Sequence, residues 1–84
     1  MSVDKILQER GARYGPFSTH AQITQDLKAV MHSVDGWDEL PPDVKESLEM
    51  IQHKIARILN GQATYKDSWD DIQGYARLVG DTIE

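Results

Sequence analysis

The stretch from Asp43 to Gly80 constrains the fold most. Val44, Leu48, Ile51, Ile55 and Leu59 recur at helical spacing, and at about 100° per residue they fall on one face. Asn60-Gly61 is a helix stop signal. A short polar loop follows, and then Trp69, Ile72, Tyr75, Ala76, Val79 and Ile83 draw a second apolar stripe. Two amphipathic helices with so short a link fold back on each other as a hairpin. No repeat, low-complexity tract or strand-like alternation competes with this reading.

The N-terminal half extends the pattern. Ser2 caps a first short helix whose stripe is Val3, Ile6 and Leu7, and Gly11 is its expected end. Gly11, Gly15 and Pro16 then predict a structured loop. It holds a polar-aromatic cluster of Arg10, Arg13, Tyr14 and His20, with Tyr14 and Phe17 able to plug the end of the core while the arginines stay in water. Thr19 with Gln22 makes a capping-box pattern, and Ser18 is an alternative cap. Ile23, Leu27, Val30, Met31 and Val34 give the next helix one clean face, which Asp35-Gly36 ends. Met31 reads as core filler and His32 as exposed. Trp37 to Pro41 reads as a loop in which Trp37 covers one end of the bundle. The expected fold is all-α, one domain over 1–84, a compact bundle of about four helices near 2–11, 19–34, 42–60 and 68–83.

The chain has 84 residues and no cysteine. A core this thin leaves little stability margin, and neither disulfides nor thiolate zinc can supplement it. Oligomerisation is the remaining common device. A homodimer or higher oligomer is therefore expected, with the third and fourth helices at or near the interface and Gly74 at a close helix contact. The net charge of −5 excludes a general affinity for nucleic-acid phosphates or anionic membranes. It is compatible with binding cations, or a phosphate ligand through a metal. No apolar run is long enough to span a bilayer. The N-terminus lacks the apolar region of a signal peptide, so a cytoplasmic location is expected.

On the third helix, Glu46, Glu49, Met50, His53, Arg57 and Asn60 lie opposite the apolar stripe, with Lys54 on the flank. Acid pairs on two consecutive helices are what a divalent-cation site needs in an all-helical protein. Asp67, Asp70 and Asp71 also read as first-turn acids that need no metal. Glu49, His53 and Arg57 are spaced for ordinary surface pairing. Both readings stand at this point. Lys54 and Arg57 can contact phosphate, or pair with Asp67 or Asp71.

RGARYG at 10–15, KIARILNG at 54–61 and DSWDDIQGYARL at 67–78 resemble a family of short phage and prophage proteins placed near the MazG-like all-α nucleoside triphosphate pyrophosphohydrolases. The resemblance implies a helical dimer or tetramer in which an E-x-x-E pair and a later E-x-x-D pair hold magnesium. The first pair matches Glu46 and Glu49, and the final aspartate matches Asp71. The second pair's glutamate falls at Ser68, a departure. Asp67 is the substitute, four residues from Asp71 rather than three. The implied cofactor is Mg2+. Arg13, Lys54 and Arg57 are then candidates for phosphate contact, and Tyr14 or Tyr75 for flanking a base. No catalytic residue is assigned. Three functions follow: a magnesium-dependent nucleotide pyrophosphohydrolase, a non-catalytic phage protein that binds or sequesters a nucleotide signal, or one that binds a host protein. If the chain is phage-encoded, the host cytoplasm is its location.

Overall fold

A computed structural model describes residues 2–83. Among these residues five helices follow one another: α1 (Val3–Tyr14), α2 (Phe17–His32), α3 (Asp35–Asp38), α4 (Pro42–Asn60) and α5 (Lys66–Gly80). Among the described residues there is no strand, and no helix is long and apolar enough to cross a membrane. The chain is all-helical, as its periodicity implies.

The helix ends show where local signals hold and where they yield. Ser2 caps α1, its hydroxyl accepting from the Lys5 backbone N–H at 3.2 Å. Gly11 does not stop α1, since one mid-helix glycine costs only about 1 kcal/mol. Gly15 stops it, with φ of 79°, and Pro16 follows. α2 therefore starts at Phe17, two residues before the expected start at Thr19, and carries no side-chain cap. Gln22 instead donates to Asp26, one turn on. Asp35-Gly36 lies inside the one-turn helix α3, where a loop was expected, and this turn buries Trp37. α4 spans Pro42–Asn60 as expected, with Gly61 following. α5 begins at Lys66 and ends at Gly80, so Ile83 lies beyond it.

α4 is the central element, with α2 along one flank and α5 along the other. Both run antiparallel to it. Ser47 donates to the Tyr75 carbonyl and Lys54 pairs with Asp71 on the α5 side. Thr24 donates to Gln52 at 2.8 Å on the α2 side. This arrangement overturns the expected core. The buried residues of α4 are Ser47, Gln52, Lys54 and Ala56. In its apolar stripe, Leu48 and Ile55 are each 39% exposed and Leu59 66%. The reason is geometric: α2 and α5 land on the two edges of the stripe, so their contacts fall on the polar flanks. Ser47 and Lys54 find partners, which makes their burial tolerable, and Gln52 accepts from Thr24 through Oε1 while its buried Nε2 has no partner.

The other stripes are likewise partly uncovered. Ile23, Leu27 and Met31 of α2 are half-buried, whereas Val30 and Val34 are exposed. On α5, Ile72, Tyr75 and Val79 are half-buried, but Trp69 and Ala76 are exposed. Gly74 was expected at a close helix contact. Within the chain, nothing lies near where its Cβ would be. The radius of gyration is 14.5 Å, against about 12 Å for a compact domain of this length.

Candidate functional site

The three sequence blocks that stand out along the chain meet at one end of the bundle. Asn60 is the clip. Its side-chain amide donates to the carbonyls of Tyr14 and Pro16, both at 2.9 Å. The Gln62 backbone N–H donates to the Arg13 carbonyl at 2.9 Å. Two glycines let the backbones approach this closely. A Cβ on Gly15 would run into the Asn60 carbonyl, and one on Gly61 into Arg13 and Tyr14 backbone. Gly15 also sits at positive φ, a conformation that side-chain-bearing residues rarely adopt.

This clip lines up two tyrosine rings flanked on each side by an arginine. The Arg57 guanidinium lies 4.2 Å from the Tyr14 ring centre, and Arg13 lies 4.7 Å from that of Tyr65. The two tyrosines meet edge to face at 6.1 Å. Tyr65 is held in turn by a hydroxyl hydrogen bond to Asp67 at 2.9 Å. Cation–π pairs of this kind fix the guanidinium planes while leaving N–H groups free.

Beside the stack, α1, α2 and α4 enclose a cleft of about 540 Å³. Arg10, Tyr14, Phe17, His20, His53 and Arg57 supply its chemistry, and among the described residues no carboxylate lines it. His20 is 6% exposed, and its Nδ1 has no hydrogen-bond partner. Its ring meets that of His53 edge to face at 4.6 Å. Burial, and then the Arg57 charge, hold both imidazoles below their ordinary pKa. For His53 the value falls to about 4, so at neutral pH both rings are uncharged and each offers one N–H donor and one acceptor. The cleft thus combines two guanidiniums, two neutral imidazoles and two flat rings. That set suits an anionic group attached to a planar or apolar one.

Of the residues proposed for nucleotide contact, Tyr14 and Arg57 line this cleft and Arg13 supports it from behind through Tyr65. Lys54 does not reach it. Its ammonium is 2.9 Å from Asp71, the ion pair that its sequence position offered as the alternative role. Tyr75 is half-buried on α5, its backbone carbonyl accepting from Ser47 of α4, and does not line the cleft. Phe17 does not plug the core: it is 78% exposed at the mouth. By sequence position His53 is spaced for helix-surface pairing and Tyr65 falls in the polar loop. Their roles depend on contacts between elements that no local pattern encodes.

The four carboxylates proposed for magnesium are dispersed. Glu46 is exposed. Glu49 lies 3.7 Å from both Lys28 and His32 of α2. Asp71 pairs with Lys54 on the other flank of α4, and Asp67 accepts from Tyr65. Among the described residues no three acidic or histidine side chains converge on a point that could hold a metal ion.

No curated protein and no solved structure matches the chain. Over residues 2–83 its sequence matches a family described as a domain of unknown function, DUF6378, and the chain belongs to that family.

Proposed function

We propose that this protein binds a phosphate-bearing ligand of the nucleotide class in the cleft between α1, α2 and α4. One observation carries the reading: in a chain of net charge −5, this cleft gathers Arg10, Arg57, His20 and His53 and, among the described residues, no carboxylate. Arg57 and Arg10 contact phosphate oxygens, the fork of a guanidinium matching two oxygens at once. Tyr14 and Phe17 offer flat surface to a base. His20 and His53 supply neutral hydrogen bonds deeper in. The likeness of RGARYG, KIARILNG and DSWDDIQGYARL to a family of short phage and prophage proteins placed near the MazG-like nucleotide pyrophosphohydrolases supports the same ligand class. The acids Glu46, Glu49, Asp67 and Asp71 stand apart within one chain, so we assign binding and no magnesium-dependent step to it.

The test is a thermal-shift panel of nucleoside mono-, di- and triphosphates, with and without magnesium. A ligand specific for the native state raises the melting temperature by mass action. A nucleotide should raise it by several degrees without magnesium, and Arg57→Ala should remove the shift. A flat panel, or an undiminished shift in Arg57→Ala, would overturn the reading.

A further inference from the structure

The exposed stripe of α4 is part of a larger apolar surface. Leu48, Ile51 and Ile55 form one wall of a groove of about 440 Å³, and Met31, Val34 and Trp37 form the other. Among the described residues no charged side chain lines it. Elsewhere no large side chain is fully buried, and Trp37 and Ala56 are the buried apolar residues among those described. A folded monomer of 9.5 kDa exposes about 5000 Å². This chain exposes 6112 Å². The excess, roughly 1000 Å², is close to the share that each partner buries in a standard-size interface, about 800 Å².

We infer that a second copy of this chain covers the stripe, with the two α4 helices packed antiparallel about a two-fold axis near Ile51. The spacing of the stripe selects that occupant. Its residues stand almost symmetrically about the midpoint between Ile51 and Gln52. An antiparallel partner therefore sets Val44 against Leu59 of the partner subunit and Leu48 against the partner's Ile55. Ile51 lies beside its own copy. A two-fold contact requires such self-complementarity, because the same patch serves both sides. A chain with this little buried apolar surface also needs its cover continuously, and an identical copy is present wherever the chain is made. The interface uses the apolar face, whereas the polar face bearing Glu46 stays in solvent.

The experiment uses the full chain and its lack of cysteine. Sedimentation at concentrations on the order of 10 µM, typical for micromolar interfaces, should give twice the 9.5 kDa chain mass. The melting temperature should rise with protein concentration. Ile51→Cys should oxidise to a disulfide-linked dimer, while Glu46→Cys, on the opposite face, should not. Leu48→Asp should shift the mass toward one chain or lower the melting temperature. A single-chain mass with a concentration-independent melting temperature would overturn the inference. So would crosslinking through Glu46→Cys and not through Ile51→Cys, which would place the contact on the polar face.

Discussion

Two concavities of similar size flank α4, and their chemistry is opposite. The cleft beside α1 is lined by two arginines and two histidines around aromatic rings. The groove beside α3 is lined by aliphatic side chains and Trp37, with Gln52 its one polar side chain. One helix serves both because its faces differ: Arg57 and His53 point one way, and Leu48, Ile51 and Ile55 another. The first surface can discriminate among ligands by charge and geometry. The second can only exclude water, so its energy scales with area covered. A defect in the first should change what is bound, and a defect in the second should change assembly and stability.

The sharpest way to break this comparison is to spring the clip that shapes the cleft. Gly15→Ala places a Cβ against the Asn60 carbonyl at positive φ, and we predict a loss of about 3 kcal/mol in denaturant unfolding. A near-neutral result would mean that α1 is not anchored through Asn60. Next in size, Asp71→Ala should lower stability by about 2 kcal/mol, below the full buried-pair range because Asp71 is partly exposed. It leaves the buried Lys54 ammonium uncompensated. Glu46→Gln should do nothing measurable to stability, so an equal loss from both would contradict the packing described. Thr24→Val should cost about 1 kcal/mol by removing the donor to Gln52, with ligand affinity unchanged.

The smallest expected effect is a slope with pH. His53 titrates at about 4 in the fold against about 6.5 when unfolded. Between those values the unfolded chain binds more protons, so stability is full above pH 6.5 and declines as pH falls toward 4. Solvent screening of this half-buried ring keeps the change below about 1 kcal/mol. His53→Gln should flatten the part of the melting-temperature profile between pH 6.5 and 4 that this ring contributes. A bound anion should raise the imidazole pKa in the fold toward its unfolded value, so its presence should make the decline smaller and end it at a higher pH. An identical decline in His53→Gln would assign the slope elsewhere.

Much of this was legible from residue order, because helices are local. Period, proline and glycine placed α4 at both ends, and the other long helices were found with ends displaced by up to three residues. The misses at Gly11 and Thr19 share a cause. Local signals there are weak, and Gly15 docking on Asn60 sets the α1–α2 corner. For the cleft, Tyr14 and Arg57 stand among the residues the sequence offers for ligand contact, and Arg10 and His20 belong to its polar-aromatic cluster. The link between Tyr14 and Asn60 spans 46 positions, and no local pattern carries such a distance.

By itself, then, the sequence determined that this chain is helical, where its main hairpin turns, and which side of each helix is apolar. Only the tertiary structure decided which side is covered. Periodicity is a property of one helix and follows from backbone geometry, whereas burial depends on where neighbouring helices land. In this chain α2 and α5 land on the polar flanks of α4, held by Thr24–Gln52, Ser47–Tyr75 and Lys54–Asp71 contacts. The apolar stripe between them is left open, because a side chain's hydrophobicity says that it favours leaving water but not what will take it out.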